Sequence, residues 1–274
     1  MIELLTLKSK EGKIVRKVLI VLLILSVIFA GTVIGADKLD KILQDGKIVV
    51  GIALGGPPIG FRNEKNEPMG YDVDVATLIA EALGVELEIV EVTGATRIPM
   101  LMSDKIDLVI ANMTANLERA KSVDFSMPYL RTGIKILVRT GSDIESIEDF
   151  NGRKVAIGRG TTGEALVKKM APDTEFVYIE EFTNAILLLR QNKVEAAIED
   201  GTLVDYMAGQ YDEFTALPKL YTSDPIGIGV QKGNPDLLRW IDMFVSQFIS
   251  TGQQAELYKK WWGVLPTAEL AYIW

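Results

Sequence analysis

From Lys47 to Trp262, short β-branched runs alternate with apolar positions at helical spacing. Lys47–Ile52 reads as a strand. Tyr71–Leu83 then sets Val73, Ala76, Ile79, Ala80 and Leu83 along one side of a helix. Asp72 and Asp74 fall in its first turn, where the helix dipole favours negative charge. Val85–Val92 predicts a strand, Arg97–Ser103 a short helix and Ile106–Ala111 a further strand. The pattern then restarts. Lys135–Arg139, Lys154–Ile157, Glu175–Ile179, Ala196–Ile198 and Ile226–Val230 read as strands. Between and after them, Ile147–Phe150 predicts a helical turn, and Glu164–Met170, Asn184–Gln191, Pro235–Thr251 and Gln253–Trp262 predict helices. This alternation predicts two α/β units, each a mainly parallel sheet flanked by helices. Strand-like segments near Tyr129–Ile134 and Tyr221–Ile228 join them. The expected lobes are therefore 37–130 with 225–274, and 131–224, crossed twice by the chain and closing around a crevice at the strand ends.

The start of the chain is a separate object. Lys8, Lys10, Lys13, Arg16 and Lys17 precede an apolar run, Val18–Ala30, broken only by Ser26, and Gly-Thr-Val-Ile-Gly-Ala continues to Ala36. That is the layout of a secretory signal peptide over 1–36, with cleavage expected after Ala36. The alternative is an uncleaved anchor, because the apolar stretch is nearly long enough to span a bilayer. Removing 1–36 takes away five basic and two acidic residues, so the net charge falls from −8 to −11. Such an acidic surface excludes nucleic acid as a partner, which needs basic patches.

Composition narrows the chemistry. The chain has no cysteine, which excludes disulfides, thiolate metal sites and a lipoprotein anchor. It has no histidine either, so the usual general base and the commonest metal ligand are missing. Binding is favoured over catalysis, with no cofactor or metal called for.

Three segments carry candidate chemistry. Asn112–Arg119 leaves the strand Ile106–Ala111 with a hydroxyl at Thr114 and an arginine five residues on. Arg119 offers a planar fork for a carboxylate, or else is solvated or paired with Glu118 or Asp124. Gly158-Arg-Gly-Thr-Thr-Gly163 sits between a strand and a helix, where backbone N–H groups form an anion site; Thr161 and Thr162 are its candidate ligand residues. The same segment fits the GxGxxG dinucleotide pattern, with Glu180 and Glu181 where a ribose-binding acid would stand. The unit from Ile134 to Tyr221 has room for only one mononucleotide half, which weighs against that reading. Val194–Gly201 is a buried strand ending in two acids. Asp200 can hold an ammonium group, or cap the helix starting near Thr202, while alternation turns Glu199 to the other face. A cation, an anion and an anion-binding helix start suit the zwitterionic part of an α-amino acid.

With these residues in view, the chain resembles the amino-acid-binding proteins of bacterial ABC importers, with the type II periplasmic binding protein fold. The likeness runs through Pro57–Phe61, Gly70–Ala76, Lys105–Ile110, Thr114–Arg119, Val123–Ser126 and Ile147–Ala156 with Gly160–Thr162, in the family's order. It implies that Arg119 and the Thr162 amide hold the ligand α-carboxylate. Asp200, the Thr114 hydroxyl and the Asn112 carbonyl would hold the α-ammonium. The family's aromatic positions around the ligand side chain fall at Gly56 and Gly94, leaving Phe61 or Tyr129 to compensate. Arg97, within Thr93–Pro99, resembles the arginine that meets a side-chain carboxylate in acidic amino-acid binders, or else forms a structural ion pair. Ala53 stands where first-strand selector residues occur, which argues against a lysine or arginine ligand.

The resemblance implies a monomeric, periplasmic or extracellular substrate-binding component that delivers a free polar or acidic L-amino acid to membrane permease subunits. The rivals are a cyclohexadienyl-dehydratase-like enzyme on the same fold, with Glu199 or Asp200 as general acid, and a membrane-anchored binding module.

Overall fold

The computed structural model describes residues 37–266. The expected signal peptide lies outside the described residues. Asp37 caps α1 (Lys38–Asp45), accepting the Leu39 N–H at 3.0 Å, and the chain enters a sheet at β1 (Lys47–Ile52). A hairpin of β2 (Phe61–Arg62) and β3 (Pro68–Met69) leads into α2 (Tyr71–Leu83), β4 (Glu86–Glu91), α3 (Arg97–Met102) and β5 (Leu108–Val109). β6 (Val123–Thr132) then passes through Gly133 into β7 (Ile134–Arg139). β8 (Lys154–Gly158), α4 (Thr162–Met170), β9 (Glu175–Ile179), α5 (Phe182–Arg190), β10 (Ala196–Asp200), α6 (Gly201–Gln210) and β11 (Phe214–Ala216) follow. β12 (Asp224–Gln231), α7 (Pro235–Ser250) and α8 (Gln253–Trp262) complete the described elements.

The strands form two five-stranded sheets, ordered β4-β1-β5-β12-β6 and β11-β7-β10-β8-β9. This is the two-lobed type II periplasmic binding fold. Each sheet is mainly parallel as expected, with four of its five strands running the same way and one strand reversed, β12 in the first and β7 in the second. In the first, β1 is parallel to β4 and β5, whereas β12 is antiparallel to both β5 and β6. In the second, β8 is parallel to β9 and β10, but β7 is antiparallel to β10 and β11. The reason is connectivity. β6 and β7 are nearly one continuous extended segment, and no crossover helix turns the chain between sheets to restore a parallel direction.

Strand alternation distributes the core over both faces of each sheet. Ile48, Val50 and Ile52 of β1 pack with Ala76 and Ile79 of α2 and with Ile241 and Val245 of α7. Val49, between them, turns to the cluster of Leu101, Ile106 and Met113 on the other face. The second sheet repeats the scheme. Ile134, Ile136, Val155, Ile157 and Ile198 pack with Val167 of α4, while Leu137, Ala156 and Ala197 face Ala185 and Leu189 of α5.

The first passage between sheets is sterically tight. A Cβ on Gly133 would collide with the Thr222 carbonyl of the returning passage, so the two passages touch. Thr222 Oγ1 accepts the Ile134 N–H at 2.9 Å and donates to Asp224 Oδ2 at 2.7 Å, and Gly201 N–H donates to Gly133 O at 2.7 Å. Elsewhere, α4 starts two residues earlier than Glu164. Thr161 Oγ1 accepts the Glu164 N–H at 3.1 Å, which satisfies one amide of the first turn.

Candidate functional site

The two sheets face each other across a cavity of about 410 Å³. The loops after β1, β4 and β5 line one side, and those after β8, β9 and β10 the other. Arg97, Asn112, Thr114 and Arg119 come from the first side, and Thr161, Thr162, Glu199 and Asp200 from the second. Of the expected ligand residues, Phe61 and its alternative Tyr129 lie elsewhere. The Phe61 ring sits 5.8 Å from Trp261, edge to face, on the β2–β3 hairpin away from the cavity. Phe61 is half-buried, and its aromatic partner is on α8.

Arg119 opens a short helical turn, held by its N–H donating to Asn116 Oδ1 at 2.9 Å. Its Nη1 donates to Thr114 O at 2.8 Å and its Nη2 to Gly160 O at 3.2 Å, so the guanidinium reaches from one side of the cavity to the other. It forms no salt bridge with Glu118 or Asp124, which pair with Lys121 and Lys232. Burial lowers its pKa from the ordinary arginine value, and Asp200, then Asp224 and Glu199, pull it back up.

Asn112 is the second bridge. Its backbone is left-handed at φ 45°, and its N–H donates to buried Asp72 Oδ2 at 2.8 Å. The other oxygen of Asp72 accepts Tyr129 Oη–H at 2.7 Å, which places Tyr129 under the site as support, outside the cavity lining. Burial raises the Asp72 pKa to about 7 despite those two donors. Asn112 Nδ2 in turn donates to Asp200 Oδ2 at 2.6 Å.

Asp200 occupies the cap position of α6 but makes no side-chain cap bond, so capping is not its role. Its Oδ1 is buried without a partner, as is Asn112 Oδ1. Two unsatisfied acceptors side by side in a polar cavity suit a group with several N–H donors. Burial drives the Asp200 pKa well above the carboxylate range, and neighbouring Glu199 adds to that push.

Glu199 does not turn away as strand alternation predicts; it lines the same cavity. The sheet ends at Asp200, and beyond a strand end the two faces open onto one space, so alternation no longer separates neighbours. Arg97 is also in the cavity wall and not in a salt bridge. It is 6 % exposed, donates from Nη1 to Ala111 O at 2.7 Å, and leaves Nε buried without an acceptor. Burial, with Arg119 nearby, lowers its pKa to about 10.

The glycine-rich turn is tied down from behind. Gly160 N–H donates to Glu164 Oε2 at 2.7 Å, Glu164 Oε1 accepts Tyr178 Oη–H at 2.8 Å, and Arg159 stacks 3.7 Å over the Tyr178 ring. Sequence reasoning missed Arg159 and Tyr178 as lining residues, and placed Glu199 in the cleft only in the rival enzyme reading. The available signals were adjacency to Asp200 and membership of the turn. At Gly94 an added Cβ would stand 2.7 Å from Arg159 O, so backbone from the other side closes the wall where an aromatic ring is usual in the family. Gly56 has ordinary contacts with Met207 and Thr183.

A two-lobed α/β protein with a charged cavity shared by both sheets is, as a class, a solute-binding protein. The chain belongs to the bacterial extracellular solute-binding proteins, family 3, whose family model matches residues 48–264. It is 35% identical over 230 residues to the ABC transporter glutamine-binding protein GlnH of Bacillus subtilis (strain 168), covering 82% of this chain and 84% of that relative. Among solved structures, ArgBP from T. maritima superposes with a TM-score of 0.78 at 35% identity, covering 82% of this chain and 99% of that one. The ancestral amino acid-binding protein AncCDT-1, described as a precursor of cyclohexadienyl dehydratase, gives a TM-score of 0.76 at 33% identity, covering 83% of this chain and 100% of that one.

Proposed function

We propose that this protein is the extracytoplasmic amino-acid-binding component of an ABC importer, taking a polar or acidic L-amino acid between its lobes. The observation that carries the reading is the presence, in one cavity, of the Arg119 guanidinium from the first sheet and the Asp200 carboxylate from the second. Arg119 and the Thr162 amide, at the start of α4 beside Thr161, take the α-carboxylate. Asp200, with Thr114 and Asn112, takes the α-ammonium, and Arg97 faces the ligand side chain. Relatives named for glutamine, arginine and glutamate/aspartate support an amino acid as the solute.

The lobes, 37–130 with 225–274 and 131–224, close by bending at the passages through Gly133 and 217–224. Binding and release make up the whole cycle, without turnover, and the closed form is what the permease subunits receive. The protein works as a monomer outside the cytoplasm, after removal of 1–36. Calorimetry on ligand-stripped protein tests the ligand class. Glutamine, glutamate or aspartate is expected to bind; failure of all three while an aliphatic amino acid binds ends the reading. Incubation with prephenate-type or arogenate-type acids, followed by product detection, is expected to show no dehydration.

A further inference from the structure

Glu199 and Arg97 face the same cavity and neither is used up by the protein. Glu199 Oε1 accepts only the neighbouring Asp200 N–H, at 3.1 Å, and no donor among the described residues reaches Oε2. That oxygen lies against Gly158, 3.8 Å from where a side chain there would begin, so no side chain at 158 screens it from the cavity. Arg97 has one hydrogen bond, to Ala111 O, and an orphaned Nε. Burial raises the Glu199 pKa and lowers that of Arg97, each charge partly offsets this for the other, and the two form no salt bridge. A cation and an anion thus face one cavity from opposite sides, each with unused hydrogen-bonding capacity.

We infer that Glu199 and Arg97 act as an acceptor–donor pair that selects an amino acid whose side chain ends in a carboxamide, with Glu199 rejecting a side-chain carboxylate. This rests on the amino-acid reading above and narrows it. A carboxamide offers its C=O to Arg97 and its N–H to Glu199, satisfying both without any like-charge contact. A side-chain carboxylate would gain Arg97 but meet Glu199, with Glu91, Glu180 and Glu181 also lining the cavity. A guanidinium or ammonium would gain Glu199 but meet Arg97, itself already beside Arg119. In a cavity screened from water, such like-charge contacts decide specificity by exclusion.

Calorimetry at pH 7 with glutamine, glutamate and arginine tests this on the wild type, Glu199→Gln and Glu199→Asp. The wild type is expected to bind glutamine at least about 10-fold more tightly than glutamate or arginine. Glu199→Gln is expected to shrink the glutamine-to-glutamate ratio by about 10-fold or more, through tighter glutamate binding, whereas Glu199→Asp keeps the preference. Wild-type protein that binds glutamate or arginine as tightly as glutamine overturns the inference, and so does an unchanged ratio in a folded Glu199→Gln. The wild-type ranking tests the pair even if a variant does not fold. Binding of none of the twenty amino acids would instead remove the amino-acid reading on which the pair depends.

Discussion

Asn112 Nδ2 donates to Asp200 Oδ2 at 2.6 Å, joining a residue just after the first sheet's β5 to the last residue of the second sheet's β10. A ligand ammonium entering this space competes with that bond for the same carboxylate. Asn112→Gly keeps the left-handed backbone and removes the bridge. The ligand-free variant is expected to have a larger radius of gyration than the wild type in small-angle scattering, with the difference vanishing on saturation with ligand.

Among the described residues Arg119 has no acidic partner, and it spends two donors on carbonyls from opposite sides of the cavity. Arg119→Ala is therefore expected to weaken every amino-acid ligand by a similar amount, about 2–5 kcal/mol, because it leaves a ligand carboxylate buried and unpaired. Titration calorimetry with several amino acids checks this; a loss confined to one ligand would contradict it.

Asp72 sets a pH dependence of stability. Its folded pKa of about 7 lies above the ordinary aspartate value of 3.8, so between those values the folded state holds a proton that the unfolded state has lost. Stability from this group is therefore highest below pH 4 and falls as the pH rises toward 7, by a total on the order of 4 kcal/mol. Denaturant titrations at several pH values should show Asp72→Asn gaining on the wild type over that range. Equal slopes for the two proteins would count against the burial cause.

Two glycines should respond in opposite directions to alanine. Gly133→Ala places a Cβ against the Thr222 carbonyl and is expected to cost about 1–3 kcal/mol. Gly209, within α6, has open space where a Cβ would stand, so Gly209→Ala is expected to stabilise by about 0.5–1 kcal/mol. Thermal melting of both variants measures the contrast.

Phe61 packs on Trp261 and not on the cavity. Phe61→Ala should lower the melting temperature, with at least about 1 kcal/mol lost, while ligand affinity stays unchanged. A large affinity loss in a fully folded variant would return Phe61 to the binding site.

Much of the architecture is written in local pattern. Short apolar runs in β1, β7, β8 and β10 and helical spacing in α2 appear directly in the residues, because these strands bury both faces and the helix buries one. Thr114, Arg119 and Asp200 are legible as cavity residues because loops at strand ends have nowhere else to point in an α/β unit. The one reversed strand in each sheet, β7 or β12, was not legible, since parallel and antiparallel strands bury the same residues and differ only in connectivity. Glu199 was misplaced by a rule that holds inside a strand and lapses where the strand stops.

By itself, then, the sequence determined the two α/β units, the absence of histidine and cysteine chemistry, and the set of charges available to hold a zwitterion. Tertiary structure alone decided which charges remain unspent. Asp124 and Glu118 are neutralised at the surface by lysines, whereas Arg97, Glu199 and one oxygen of Asp200 are left unmatched around the cavity. That distinction depends on distances between residues far apart in the chain, 108 positions for Asp124 and Lys232 and 102 for Arg97 and Glu199, which only folding brings to one surface pair and one cavity.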